Sequence, residues 1–320
     1  MNDYLTPLAR EYLLLPKDDR AAMCCRDVWI SHPYGIAATE CVKQLVAWPR
    51  VRDNPGMALV GSPGVGKSRL AQRWSEDSFA GKKGWAGKIL YIDLSNRKNI
   101  LDLEKRLLQE LGMVVRGRAY TMSAKDFAEA QAAVRRMDIR AVIFDEVHGL
   151  DRRMSKTRLH NMFEALKGFT NQGWGLNVIL CGINELTDLL VQDEQIASRY
   201  ALRTVTLPDW NNDSIYASFV LSFMYNIPLQ YPSDVRSPQF LKGLYELACP
   251  SAASRSKGKA LKSPLRTIID ILKEACRYAV LSGEEYIDLL SIQKAKARLK
   301  GEVDALALLM KHQRAAPGAP

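Results

Sequence analysis

The feature that most constrains this chain is the run Gly61-Ser62-Pro63-Gly64-Val65-Gly66-Lys67-Ser68. The apolar Met57-Ala58-Leu59-Val60 precedes it and the helix-forming Arg69-Leu70-Ala71-Gln72-Arg73-Trp74 follows. It is a G-x-x-x-x-G-K-[ST] loop in the strand–loop–helix setting that such a loop requires. Its glycines let the backbone curl until successive N–H groups face one anion, and the helix behind adds its positive N-terminal end. Lys67 has the reach for β- and γ-phosphates, and the Ser68 hydroxyl is a ligand for Mg2+. These residue types imply a nucleoside triphosphate and magnesium, held along the run from Gly61 to Arg69.

A second element answers the first. Arg140-Ala141-Val142-Ile143-Phe144-Asp145-Glu146 reads as a buried parallel strand that delivers two carboxylates at its C-terminal edge, where open α/β sheets place their ligands. Asp145 is placed to hold Mg2+ through water beside Ser68. Glu146 is placed to orient and deprotonate an attacking water. Asn177 to Gly182 reads as another buried strand, followed by Asn184, a polar residue expected between the loop and the carboxylates. Arg199 closes a short helix ahead of the edge strand Arg203 to Pro208, and arginine can stabilise a transferring γ-phosphoryl group from a neighbouring subunit. A surface arginine would look the same.

Composition bounds the partners. With 45 basic against 35 acidic residues, the net charge of +10 favours an anionic partner larger than a nucleotide, although a plain solubility charge gives the same sum. No apolar run approaches the ~20 residues of a membrane span, and MNDYLTPLAREYLLLPKDD has no signal-peptide core, so no membrane partner and a cytoplasmic protein are expected. Six cysteines without a C-x-x-C pair read as reduced core thiols.

Along the chain, residues 1–31 read as an N-terminal helical arm, resting on the main domain or on a neighbour. Residues 32–208 form the α/β domain, 209–300 an α-helical domain and 301–320 a tail. Pro33 and Tyr34, ahead of a helix with apolar Ala37, Ala38, Cys41, Val42, Leu45 and Val46, are candidate adenine contacts or ordinary core. Ser123 is placed to cap a helix from Ala124 to Arg136. The connector 113–124 holds Arg116, Arg118, Tyr120 and Thr121 without an acid, with Lys125 just beyond; phosphate-backbone contact and a solvated loop both fit. Arg152, Arg153 and Lys156 begin a basic helical stretch, either a solvated or a phosphate-tracking face. The linker 251–262 carries four basic residues, and Arg266 lies just past it.

The order of phosphate loop, apolar-Asp-Glu, Asn184, Arg199 and a helical lid bearing Arg266 resembles the AAA+ ATPases. More narrowly, His32 to Leu207 is similar to the TniB/TnsC family of transposition regulators, which includes the MuB-like proteins. The local resemblances are HPYGIAATECVKQL, VIFDEVHGL, VILCGINEL and QIASRYALRTVTLPDW. The resemblance implies a parallel-sheet AAA+ P-loop core with a small C-terminal helical lid, ATP hydrolysis, and ATP-dependent oligomerisation as a ring or filament on double-stranded DNA. Such proteins grip the phosphate backbone, mark a target, recruit or activate a transposase, and leave on hydrolysis. A TniQ-like targeting protein or a CRISPR effector is a compatible further partner, and a nucleoid-associated bacterial location follows. In that pattern Lys67 and Ser68 are Walker A residues and Asp145 and Glu146 the Walker B pair. Asn184 is sensor 1, Arg199 the arginine finger and Arg266 sensor 2. The alternatives are a replication initiator or helicase loader, and a nucleotide-dependent signalling or scaffold switch that does not act on DNA.

Overall fold

The computed structural model describes residues 4–95, 103–113, 123–147, 156–171, 173–200, 203–249 and 263–301. In chain order it opens with helices α1 (Pro7–Tyr12), α2 (Lys17–Cys24) and α3 (Pro33–Ala47). Strand β1 (Met57–Val60), helix α4 (Lys67–Phe79) and strand β2 (Lys88–Asp93) follow. Next come α5 (Leu103–Glu110), α6 (Ala124–Arg136), β3 (Ile139–Asp145), α7 (Lys156–Thr170) and β4 (Asn177–Gly182). Then α8 (Glu185–Leu190) and α9 (Glu194–Tyr200) lead to β5 (Thr204–Thr206). The rest is helical: α10 (Ser214–Met224), α11 (Pro238–Ala248), α12 (Leu265–Ser282) and α13 (Leu289–Leu299).

The chain divides into two compact units. The first holds Ser31–Asp209 and Ser263, built on a five-stranded sheet of order β2-β3-β4-β1-β5. All four strand pairings of this sheet are parallel. Parallel sheets carry helices on both faces, so their central strands are apolar throughout instead of alternating. That is why Met57–Val60 and Asn177–Gly182 are buried at every position. On one face Phe144 stacks on Phe169 at 5.8 Å between ring centroids, and Phe169 meets the edge of Trp174 at 5.7 Å. Helix α4 turns Leu70, Ala71, Trp74 and Ser78 inward, and the Trp74 indole N–H donates to the Thr39 hydroxyl at 2.8 Å.

In α3 the buried stripe is Ala38, Val42, Leu45 and Val46, whereas Ala37 and Cys41 are exposed. At 3.6 residues per turn, positions 37 and 41 fall outside that stripe, which for Cys41 corrects the expected core thiol. All six cysteines are free, but Cys25 and Cys41 are exposed; Cys24, Cys181 and Cys276 are the buried thiols.

The second unit joins the first thirty residues to the chain from Trp210 onward. Helix α2 packs on α12, and Thr6 N–H donates to the Tyr225 carbonyl at 2.9 Å. Arg20 and Glu285 form a buried ion pair between α2 and the segment after α12. Among the described residues no helix is long and apolar enough to cross a membrane.

Candidate functional site

The sheet register decides what meets at its C-terminal edge. β4 lies between β1 and β3, with Val60 opposite Gly182 and Phe144 opposite Leu180. The loop leaving β1, the Asp145-Glu146 pair ending β3 and the Ile183-Asn184 pair leaving β4 therefore emerge side by side. Gly61 needs to be glycine, because a Cβ there would lie 2.8 Å from the Leu207 carbonyl oxygen. Gly66, at φ 110°, occupies left-handed backbone at the N-cap of α4. Gly61 thus lets the loop pass against the Leu207 backbone.

Lys67 is 6% exposed, and its ammonium donates to the carbonyls of Gly61 at 2.7 Å and Ser62 at 3.0 Å. Burial lowers its pKa, while the charges of Glu146 and then Asp145 act in the opposite direction. The loop is also tied at its apex, where Ser263 N–H donates to the Pro63 carbonyl at 2.9 Å. Ser68 is half-buried in the first turn of α4, and Arg69 beside it is exposed.

Asp145 is 1% exposed and both its oxygens are held. Oδ1 accepts the Glu146 N–H at 2.8 Å, and Oδ2 accepts the Tyr91 hydroxyl at 2.8 Å. The Tyr91 oxygen in turn accepts from Gln72 Nε2 at 3.5 Å. Burial, reinforced by the Asp145 charge, pushes the Tyr91 hydroxyl far above its ordinary range, so it remains a donor. Glu146 is half-buried and has φ 64°, left-handed backbone that a β-carbon disfavours. Cys181, on the strand between loop and carboxylates, is wholly buried, and burial raises its thiol pKa well above normal. It is a packing residue, not a nucleophile.

The remaining expected residues are more dispersed. Asn184 is exposed at the start of α8, its carbonyl accepting from Thr187 N–H at 3.0 Å. Arg199 lies elsewhere: its guanidinium donates to the Thr170 hydroxyl, to the Lys167 carbonyl at 3.4 Å and to Asp53 at 3.2 Å. Asp53 and Thr170 precede β1 and β4, so Arg199 sits at the N-terminal edge of the sheet, away from its own chain's phosphate loop. Pro33 is exposed at the first turn of α3, and Tyr34 meets the His32 ring edge-on at 6.1 Å. Arg266 is exposed in the first turn of α12, in the helical unit. Lys125 is exposed in α6 within 3.8 Å of Glu129, and Lys156 opens α7. Arg116, Arg118, Tyr120, Thr121, Arg152 and Arg153 lie outside the described residues, as does the 251–262 linker.

The sequence reading missed Tyr91 and Gln72. Gln72 falls one helical turn beyond Ser68, a spacing visible in sequence. Tyr91 is a strand residue whose approach to Asp145 follows only from the β2–β3 register, in which Asp93 opposes Asp145.

The donor set fits a hydrated magnesium on a polyphosphate: one hydroxyl and one buried carboxylate beside a glycine-rich loop. Mg2+ is characteristically bound through one or two protein oxygens plus phosphates and waters. Among the described residues no group of three His, Cys, Asp or Glu side chains gathers into an all-protein metal site.

A parallel sheet of this order, with a G-x-x-x-x-G-K-S loop after β1 and an Asp-Glu pair after β3, defines an AAA+ ATPase fold carrying a C-terminal helical region. Residues 20–212 match the family described as bacterial TniB protein. The chain belongs to the TniB family. No curated protein matches it at a significant level. Among solved structures it is similar to Cdc6p from Pyrobaculum aerophilum, with TM-score 0.59 and 14% identity over 85% of this chain and 69% of that one. It is also similar to the Aeropyrum pernix ORC2 protein in its ADPNP-ADP complexes, with TM-score 0.57 and 16% identity over 88% and 72%. The Aeropyrum pernix ORC1 protein in complex with DNA gives TM-score 0.54 and 17% identity over 91% and 69%.

Proposed function

We propose that this TniB-family protein is an ATP-switched regulator of DNA transposition. It oligomerises on double-stranded DNA, marks a target and recruits or activates a transposase, and ATP hydrolysis drives its disassembly. The observation that carries this reading is the convergence of the phosphate loop, Asp145, Glu146 and Asn184 on one edge of the sheet in a TniB-family chain. The loop N–H groups and Lys67 hold the phosphates, and Ser68 with Asp145 holds the magnesium side. Bound magnesium supplies charge neutralisation on the phosphates. Glu146 takes the proton of the attacking water, and Asn184 orients that water or the γ-phosphate. Pro33 and Tyr34 are assigned to the nucleotide's base. The protein works in the bacterial cytoplasm, on the nucleoid.

The net charge of +10 and the basic residues around 113–125, 152–158 and 255–262 support a backbone grip on DNA. Such a grip is poor in sequence preference and steep in salt. The fold likeness to Cdc6p and the ORC proteins is equally compatible with a replication initiator or helicase loader; the family match favours transposition. Gel shift and electron microscopy with random-sequence DNA and a non-hydrolysable ATP analogue test the reading. Assembly that needs the analogue and weakens steeply as salt rises is expected. Binding that ignores nucleotide, or is sequence-specific and insensitive to salt, contradicts it.

Arg199 is assigned to the site of the next subunit, because in its own chain it lies at the far edge of the sheet. To act there it must leave Asp53, an exposed partner and so a weak tether, together with the Thr170 hydroxyl and the Lys167 carbonyl. Arg199→Ala is expected to remove the rise in hydrolysis that accompanies assembly, with nucleotide affinity of dilute protein unchanged. Asp53→Ala, which removes the acidic partner of the same guanidinium, is expected to keep that rise. A turnover assay across protein concentration separates the two, and an Arg199→Ala defect equal in dilute monomer excludes a role in trans.

A further inference from the structure

The geometry points to Tyr91 as the positioning residue for Asp145, setting how tightly magnesium is held when nucleotide occupies the loop. This inference rests on the reading of Asp145 as the magnesium-side carboxylate.

An ionised carboxylate offers two oxygens and about four lone-pair sites. In Asp145 the Glu146 N–H takes one site on Oδ1 and the Tyr91 hydroxyl takes one on Oδ2. One donor alone leaves the group free to turn about its Cβ–Cγ bond and exchange its oxygens. Two donors on opposite oxygens fix the plane, leaving the remaining lone pairs aimed in set directions. The Glu146 N–H belongs to the backbone immediately after β3. The Tyr91 hydroxyl comes from the neighbouring strand, so it is the contact that locks the carboxylate to the sheet.

Gln72 extends this link. Its amide reaches the Tyr91 oxygen at 3.5 Å from α4, the helix that begins in the phosphate loop. Positions 68 and 72 share one face of that helix, four residues apart. Ser68 and Asp145, the two protein oxygens on the metal side, are thereby joined through Gln72 and Tyr91 inside the fold, independently of any ligand. A structure that fixes the Asp145 carboxylate beforehand lowers the ordering cost of capturing a hydrated ion that demands near-octahedral geometry. Loss of an outer partner of a direct metal ligand typically costs 10–100-fold in metal affinity, so for a carboxylate that acts through water the lower end of that range is expected.

The test is Tyr91→Phe in the full chain, which deletes the hydroxyl and keeps the ring. A fluorescent non-hydrolysable ATP analogue is titrated first in EDTA and then at fixed concentration against MgCl2. Affinity in EDTA is expected to match the wild type, while the Mg2+ concentration at half-maximal effect rises about 10-fold. An unchanged Mg2+ midpoint overturns the inference. So does a matching loss of affinity in EDTA, which would place the tyrosine's effect on the loop or the fold. Asp145→Asn is run alongside. If it moves the midpoint and Tyr91→Phe does not, Tyr91 alone is excluded. If Asp145→Asn leaves the midpoint in place, the magnesium-side reading fails and the Tyr91 inference goes with it.

Discussion

Lys67→Ala is expected to weaken nucleotide binding about 100-fold and to abolish nucleotide-dependent assembly on DNA. Hydrogen bonds to charged groups contribute about 1.5–3 kcal/mol each, and every 1.4 kcal/mol is a factor of ten. Losing one or two such bonds to phosphate therefore suffices. The ammonium also has a structural task, because it donates to the carbonyls of Gly61 and Ser62. Alanine leaves those two acceptors to water, and the loop loosens. A thermal melt separates the effects: a small change in stability with a large loss of affinity assigns the main role of Lys67 to the phosphates. Fluorescent-nucleotide titration reads the affinity and sedimentation with DNA reads the assembly. Assembly retained by a folded Lys67→Ala variant would contradict the role given to the loop.

Much of the first unit is legible in the sequence because a parallel sheet buries both faces of its strands. Met57–Val60 and the central residues of Ile139–Asp145 and Asn177–Gly182 stand out as apolar runs, and a run closed by Gly61 or by Asp-Glu also states what its end carries. Short-range chemistry is equally readable. Ser123 caps α6 in a reciprocal arrangement with Asp126, as a Ser followed three residues later by an acid indicates. What sequence does not encode locally is the meeting of distant side chains. Tyr91 reaches Asp145 only through the pairing of β2 with β3, and Arg199 finds Asp53 only because β5 returns beside β1. The arm is a third instance. Nothing within residues 1–30 says that Arg20 pairs with Glu285, more than 200 positions away, which ties α2 to the later helices in one helical unit.

Glu146→Gln is expected to leave nucleotide binding intact, to slow hydrolysis about 1,000-fold, and to trap ATP-bound oligomers on DNA. Removing a general base costs typically 10²–10⁴-fold, and the amide keeps the side chain's size and reach. The substitution also bears on Lys67, since Glu146 is the first of the charges opposing the downward shift of its pKa. Removing that charge moves the lysine's pKa further down, so its proton is lost at a lower pH than in the wild type. A pH series of nucleotide affinity detects this as a loss at high pH that the wild type does not share. The backbone supplies an independent argument for a chemical role. At φ 64° a glutamate is strained by roughly 1 kcal/mol or more, a cost that glycine would relieve. Glu146→Gly should therefore be at least as stable as the wild type in a thermal melt and as slow as the Gln variant. A residue that costs stability and can be improved only by losing turnover is held there by its reaction. Normal hydrolysis by either variant removes Glu146 as the base and leaves its strained backbone without a chemical reason.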